Sequence, residues 1–141
     1  MRKKLRGGCS CGKVRYQLLA VPIRVHCCHC TDCQRHTGSA FVINAIIETS
    51  AIKIMRGALE AVPVRRSYGP HDIYRCRKCK VAVWSDYGHR PQIRFVRVGT
   101  LDDPNALRAD AQTGGGLRRG RHDQKKQSDC ARKRKNGACL E

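Results

Sequence analysis

Four cysteines stand in two short steps whose spacing is typical of zinc ligands. Cys9 and Cys11 form a C-x-C step, and Cys76 and Cys79 form a C-x-x-C step. Such steps let two sulfurs converge on one ion from a tight turn, and neighbouring glycines supply the backbone freedom that such turns use. Together they offer four thiolates, the donor set of a closed, structural zinc site. A redox C-x-x-C is the alternative, but it belongs with a βαβ unit, which this sequence does not show.

A second cluster lies between these steps. Cys28, Cys30 and Cys33 form a C-x-C-x-x-C pattern, with three thiols within six residues. Three protein ligands leave the fourth position open, which is the arrangement of a catalytic zinc. Two alternatives stay open at this point. Either His29 or Cys27 closes the site as a fourth ligand, or the C-x-C step joins this cluster and leaves the C-x-x-C step alone.

The elements that must position these cysteines are predicted to be short strands. Apolar residues alternate with polar ones, or β-branched residues run together, at 13–19, 41–47, 52–55, 67–74, 81–84 and 93–98. Glycines and prolines separate these runs. Helical periodicity is weak, and short helices are predicted only at 32–37 and 102–107. The fold class is therefore mainly β, built from short hairpins with few short helices.

Positive charge is high but spread along the chain. The 141 residues suit one domain and carry a formal net charge of +18. Seven ionised cysteines and two zinc ions would lower this charge to about +15. Residues 1–108 hold 20 Lys and Arg against 7 Asp and Glu, and residues 109–141 hold 9 against 4. A diffuse excess predicts weak attraction to polyanions, but no specific nucleic-acid recognition, which needs a basic stripe with aromatic residues.

Features of secreted or membrane proteins are not visible in the sequence. Residues 1–8 are basic and then glycine-rich, without the apolar segment of a secretory signal. No run of 18 apolar residues occurs, so no membrane-spanning helix is predicted. We expect a cytoplasmic protein, in which cysteines are kept reduced and bind metal rather than form disulfides.

The chain changes character after Arg108. Residues 109–141 lack a sustained apolar period, contain three consecutive glycines and end in a basic cluster at 132–135. This composition predicts a basic, disordered tail. Cys130 and Cys139 lie in it without ligand-like spacing, and we do not expect them to bind metal.

Three cysteine-bearing segments are similar in order and spacing to those of a known family. They are GGCSCGKVRY at 7–16, CHCTDCQRHTGSAF at 28–41 and RCRKCKVAVW at 75–84. Together they closely resemble the glutathione-dependent formaldehyde-activating enzyme family, which also includes centromere protein V. The resemblance covers residues 5–108, including VGTLDDP at 98–104.

The resemblance implies a zinc-stabilised domain at 5–108, with β-hairpins and small twisted sheets of Mss4-like type. It implies two zinc ions. One is structural, on Cys9, Cys11, Cys76 and Cys79, and the other is catalytic, on Cys28, Cys30 and Cys33. The activity implied is addition of glutathione to formaldehyde, classed with the carbon–sulfur lyases. The expected partner is thus a small thiol such as glutathione.

The expected chemistry starts with a substrate thiol in the open zinc position, where it is held as a thiolate and attacks formaldehyde. Arg35, His36 and Lys13 are candidates to meet the carboxylates of glutathione, and His29 is a candidate proton carrier. Two departures from the family bear on this hypothesis. Lys80 follows the last cysteine where the family commonly has glycine, and residues 109–141 lack the histidine- and tryptophan-bearing end of the family. The alternatives are a zinc-stabilised binding module with a basic surface, and a relative impaired by its altered C-terminus.

Overall fold

Each of the six strands that the sequence predicts is present in the structure, with shifted ends. A computed structural model describes residues 5–65, 69–103 and 105–113. The described residues form ten strands, one α-helix and two single 3-10 turns. In chain order these elements are β1 Leu5–Gly8, β2 Arg15–Leu18, β3 Arg24–Cys28, α1 Thr31–Thr37, β4 Val42–Glu48, the turn Thr49–Ala51, β5 Ile52–Arg56, β6 Leu59–Pro63, β7 His71–Cys76, β8 Ala82–Tyr87, β9 Ile93–Arg97, the turn Val98–Thr100 and β10 Ala111–Thr113.

A small antiparallel sheet contains β1, β2 and β5, with β2 in the middle. Tyr16 of β2 is 1% exposed, and its hydroxyl lies 2.8 Å from the hydroxyl of Thr100. Gly7 of β1 pairs with Tyr16. A Cβ at Gly7 would lie 2.5 Å from both the Tyr16 hydroxyl and the Thr100 carbonyl oxygen. Only glycine therefore permits β1 to approach so closely.

A larger sheet holds the other seven strands in the order β10-β3-β4-β9-β8-β7-β6. Its neighbours are antiparallel except for β10, which pairs with β3 in parallel. Asn44 of β4 lies opposite both His26 of β3 and Arg97 of β9. Side chains of directly opposed residues share a face, and successive residues alternate between faces. The register therefore sorts the side chains of this sheet onto two faces.

One face of the larger sheet packs against the small sheet and forms the hydrophobic core. The ring of Trp84 in β8 contacts Tyr16 edge to face, with centroids 6.1 Å apart. The buried residues of this core are Tyr16, Leu18, Val25, Ala45, Ile47, Ala51, Val83, Trp84, Val96, Val98 and Leu101. Burial of branched and aromatic side chains from both sheets stabilises their stacking.

The opposite face carries buried polar side chains, and we call it the polar face. Its buried polar members are His26, Asn44, His71, Ser85 and Arg97. Aromatic rings lie on the same face. The centroid of the Phe95 ring is 5.9 Å from that of His26 and 4.8 Å from that of Tyr87. His36 of α1 approaches His71 with centroids 6.5 Å apart. The helix thus lies on the polar side of the sheet.

The predicted helix at 102–107 is wrong. Val98–Thr100 forms a 3-10 turn, and the described residues that follow form bends and turns. The carboxylate of Asp102 binds the guanidinium of Arg15, and Asp103 accepts a hydrogen bond from the Asn105 amide at 3.0 Å. The Asp103 contact is local, and an aspartate that accepts from a backbone amide two residues on favours a turn over a helix. The helix predicted at 32–37 is confirmed as α1.

Four strands were not predicted, namely β1, β3, β6 and β10. The strand predicted at 67–74 begins at His71, and its residues 67 and 68 lie outside the described residues. β10 falls at the start of the predicted disordered tail, where its pairing with β3 orders residues 111–113. The rest of that tail, including Cys130 and Cys139, lies outside the described residues. α1, with seven residues, is the longest helix described, and no described helix combines the length and hydropathy needed to cross a bilayer.

Candidate metal centres

Two turns bring four sulfurs together at one end of the two sheets. Cys9 and Cys11 lie in the turn after β1, whereas Cys76 ends β7 and Cys79 lies in the turn that follows it. All four sulfurs lie within 4.8 Å of one another. The Cys9 and Cys11 sulfurs are 3.4 Å apart, and those of Cys11 and Cys76 are 3.8 Å apart. Sulfurs of a tetrahedral zinc site lie about 3.8 Å apart, so this four-cysteine cluster fits zinc.

Backbone amides of both turns point at the sulfurs. The Val14 amide donates to the Cys9 sulfur at 3.2 Å. Hydrogen bonds from the backbone of Cys11 and Val81 lower the pKa of Cys79 to about 6. The backbone thereby favours thiolates, the form that binds metal.

Lys80 shows how the second turn closes without glycine. It has φ of 61°, the one left-handed non-glycine conformation among the described residues. Its amide donates to the Cys76 carbonyl at 2.9 Å, and its ammonium group binds Glu60 at 2.6 Å. The lysine therefore keeps the turn geometry in spite of the strain that a Cβ adds there.

The three-cysteine cluster forms where β3 meets α1. Cys28 ends β3, Cys30 caps the N-terminus of α1, and Cys33 lies buried in its first turn. Their sulfurs lie within 4.8 Å of one another. The Cys33 amide donates to the Cys30 sulfur at 3.3 Å. A strand end and a helix start thus direct three thiols to one point.

Hydrogen bonds within the cluster favour an ionised Cys28. Interaction with the Cys33 thiol first, and then with His26, lowers the pKa of Cys28 to about 3 against the opposing effect of burial. The same contact with Cys28 raises the pKa of Cys33. A metal ion that replaces the shared proton would meet sulfurs already arranged to carry negative charge.

The geometry separates the alternatives left open by the sequence. His29 and Cys27 contact each other, with the His29 Nε2 atom 3.5 Å from the Cys27 sulfur, and neither belongs to a described metal-ligand group. Cys27 points to the core face, where burial raises its pKa to about 11. The C-x-C step groups with Cys76 and Cys79, not with the three-cysteine cluster.

The loop around α1 is held by its own side chains. Gln34 donates to the carbonyl oxygens of His29 and Ala40, both at 3.0 Å. The Thr37 hydroxyl donates to the Cys33 carbonyl at 2.7 Å, and Gly38 ends the helix with φ of 63°. These bonds keep the short helix at a fixed angle to β3, so the three sulfurs are preorganised.

Of the residues predicted to meet a substrate, Arg35 and His36 lie exposed on α1 beside the cluster. Lys13 instead lines a cavity at the four-cysteine cluster. Sequence reasoning missed the polar face. Arg97 was visible only as one polar position in an alternating strand, and nothing in the sequence joined it to Asn44 and Ser85.

That cavity is a groove open to solvent, with a volume of about 760 Å³ and a strongly basic lining. Lys13, Arg56, Arg77 and Lys78 line it together with Gly12 and Gly57, and no acidic residue belongs to its lining. Four cations exceed the charge of about −2 that a zinc ion with four thiolates carries. The fold therefore gathers here a part of the positive charge that the sequence spreads.

The fold and its cysteine clusters define a two-sheet β protein with two groups of thiols able to hold metal ions. The family model described as glutathione-dependent formaldehyde-activating enzyme matches residues 4–113. The chain belongs to this family. The match ends with β10, five residues beyond the predicted boundary at 108.

One relative and one solved structure are similar to this chain. An Emericella nidulans protein named "Putative glutathione-dependent formaldehyde-activating enzyme" is 27% identical over 81 residues, which are 57% of this chain. The aligned region covers only 41% of that relative. A crystal structure of a Rhodobacter sphaeroides protein matches with a TM-score of 0.58 and 24% identity, covering 77% of this chain and 99% of the other. The latter likeness concerns the fold alone.

Proposed function

We propose that this protein is a zinc-dependent enzyme of the carbon–sulfur lyase type, which adds a thiol such as glutathione to formaldehyde or a related small electrophile. Membership of the family supports the reaction type. The observation that carries the proposal is the three-cysteine cluster, in which three sulfurs converge and no fourth Cys, His, Asp or Glu of the described residues joins them. Such a donor set suits a metal site with one position for substrate.

Two zinc ions fit the two clusters. Cys9, Cys11, Cys76 and Cys79 would hold a structural ion, and Cys28, Cys30 and Cys33 would hold the ion at the reaction site. When bound there, zinc supplies a coordination position at which a thiol loses its proton at neutral pH. His26 lies two residues before Cys28 on the same face of β3 and lowers the pKa of Cys28, so it would support a metal ion there.

In the reaction a new bond forms between the thiol sulfur and the formaldehyde carbon. The π electrons of the carbonyl group move to its oxygen, which takes up one proton as the thiol gives up another. His29 is half-buried beside the cluster and is our candidate to carry that proton. Gln34 holds the backbone of His29 in place through the carbonyl oxygen.

The decisive test is the rate at which zinc-loaded protein converts formaldehyde and glutathione to S-hydroxymethylglutathione, measured by NMR above the uncatalysed rate. Cys30→Ser should abolish the acceleration while the protein stays folded at room temperature. Cys27→Ser is the matched control, because this neighbouring thiol lies outside the cluster, and it should retain activity. Wild-type protein without acceleration, or an active Cys30→Ser variant, would refute the proposal.

The basic cavity favours a second candidate function, a binding module for a polyanion such as nucleic acid. Its cations come from separate segments, and they surround one opening at the four-cysteine cluster. In a plot of log binding constant against log salt concentration, each phosphate that such a surface neutralises makes the slope more negative by about 0.9.

Binding to a short DNA duplex across a salt series distinguishes this module from an enzyme. The triple variant Lys13→Ala, Arg77→Ala, Lys78→Ala should weaken binding and flatten the salt slope. The matched control replaces three exposed cations elsewhere, Arg24, Lys53 and Arg90, with alanine. Equal losses in both triple variants would show diffuse attraction and would contradict a defined binding surface.

A further inference from the structure

Arg97 is a buried cation that has no anionic partner among the described residues. The residue is 7% exposed to solvent. One terminal nitrogen donates to the Asn44 side-chain oxygen at 2.8 Å, and the other donates to the Ser85 hydroxyl at 2.9 Å. The Nε atom is buried and has no partner. A guanidinium group has five N–H donors, so neutral acceptors satisfy only part of this one.

Arg94 provides a comparison within the same strand. It lies three residues earlier, on the opposite face of β9, and its guanidinium is 2.9 Å from the Asp86 carboxylate. Both side chains of that pair are 15% exposed. Among the described residues, no carboxylate forms such a pair with Arg97. Because an unpaired buried charge is costly, Arg97 calls for an anion that the described protein does not itself supply.

The position of Arg97 relates that anion to the three-cysteine cluster. Arg97 lies opposite Asn44, and Asn44 lies opposite His26, so the three residues cross three neighbouring strands on the polar face. Adjacent strands are about 4.8 Å apart, which places the backbone of Arg97 about 10 Å from that of His26. His26 lies two residues before Cys28 in β3, so both side chains are on the polar face. The Nδ1 atom of His26 is also buried and has no hydrogen-bond partner among the described residues.

We propose that Arg97, held in place by Asn44 and Ser85, binds a carboxylate of the thiol substrate. This inference depends on the proposed function, since it assigns the substrate class of the same site. The preferred substrates are thiols that carry a carboxylate several bonds from the sulfur, as glutathione does. Arg97 is thus a substrate-binding residue that selects anionic thiols and takes no part in bond formation.

The test compares glutathione with its diethyl ester, which keeps the thiol and lacks both carboxylates. Wild-type protein should show a KM at least tenfold lower for glutathione than for the ester. Arg97→Gln keeps a hydrogen-bonding side chain and removes the charge. This variant should raise the KM for glutathione at least tenfold with kcat within about threefold, and should leave the KM for the ester within twofold. Arg94→Gln is the matched control, and it should preserve the preference for the acid even where it lowers the melting temperature.

Equal KM values for glutathione and ester in wild-type protein would overturn the inference, as would an Arg97→Gln variant that loses kcat equally with both thiols. The wild-type comparison needs no variant, so it decides the matter even if Arg97→Gln does not fold. Absence of turnover with every thiol would instead refute the proposed function. In that case calorimetric titration of zinc-loaded protein with S-methylglutathione and its diester tests Arg97 independently. Tighter binding of the acid supports the inference, and equal or absent binding overturns it.

Discussion

Replacement of one cysteine in each cluster should produce two different defects. In Cys76→Ser and in Cys28→Ser, the zinc content of freshly purified protein should fall from two ions per chain to one. Only Cys76→Ser should also unfold the protein at room temperature. The distinction arises because the four-cysteine cluster links distant segments of the chain, whereas the three-cysteine cluster lies within one segment.

The size of the difference follows from the spans that the clusters close. The four-cysteine cluster joins Cys11 to Cys76, 65 residues apart. By the chain-entropy model of cross-links, closing such a loop contributes about 4 kcal/mol, whereas a loop of about six residues contributes about 2 kcal/mol. Cys76 is also 1% exposed, and a serine hydroxyl there adds about 1–3 kcal/mol of burial cost. Small domains are stable by about 5–15 kcal/mol, so a combined loss of about 5–7 kcal/mol in Cys76→Ser removes a third or more of that stability and unfolds a domain at the lower end of the range.

Zinc content by elemental analysis and the fluorescence of Trp84 measure the two effects. Trp84 is the only tryptophan of the chain and is 6% exposed, so its emission reports unfolding of the core. Cys27→Ser serves as the control that removes a thiol outside both clusters. A Cys76→Ser protein that melts like wild type, or a Cys28→Ser protein that unfolds, would refute the assignment of a structural role to the four-cysteine cluster alone.

Three further predictions concern the scaffold and are read from thermal or urea unfolding. Lys80→Gly should be at least as stable as wild type, because glycine adopts φ of 61° without strain. Lys80→Ala should be less stable than Lys80→Gly by about 1 kcal/mol. Equal stability of the two variants would contradict this prediction. Asp102→Asn should lower the free energy of unfolding by about 0.5–1 kcal/mol at neutral pH. The loss is small because the Asp102 side chain is 47% exposed and solvent screens its ion pair. The Arg15 guanidinium lowers the pKa of Asp102 below 3.8, so the stabilisation is present above that pH and disappears as the pH falls through the lowered pKa; a difference that persists at pH 2 would be inconsistent with the ion pair. Gly7→Ala should lower the free energy of unfolding by about 1–3 kcal/mol. The control Gly99→Ala should leave it nearly unchanged, because its Cβ would meet nothing within 4 Å. Equal losses in the two variants would show that the contact at Gly7 relaxes.

Local spacing was sufficient to predict the two short cysteine steps, the three-cysteine cluster and helix α1, whereas the joining of the two steps rested on the family resemblance. The sulfurs within each short step are neighbours in any tight turn, and the C-x-C-x-x-C pattern places its third cysteine one helical turn after a cap. Alternation likewise predicted strands such as β2 and β9, because a half-buried strand has a period of two. These signals are local, so the sequence carries them directly.

The structure alone decided what depends on pairing between remote segments. β1 and β10 have no strand signal of their own and form because β2 and β3 offer them partners. Where a helix at 102–107 was predicted, the Asp102 carboxylate binds Arg15, 87 residues away, and the Asp102 amide donates to the Arg6 carbonyl of β1. The basic cavity and the polar face have the same origin. Arg97, Asn44 and Ser85 meet only because β9, β4 and β8 are brought into register, and no spacing within one strand encodes that register.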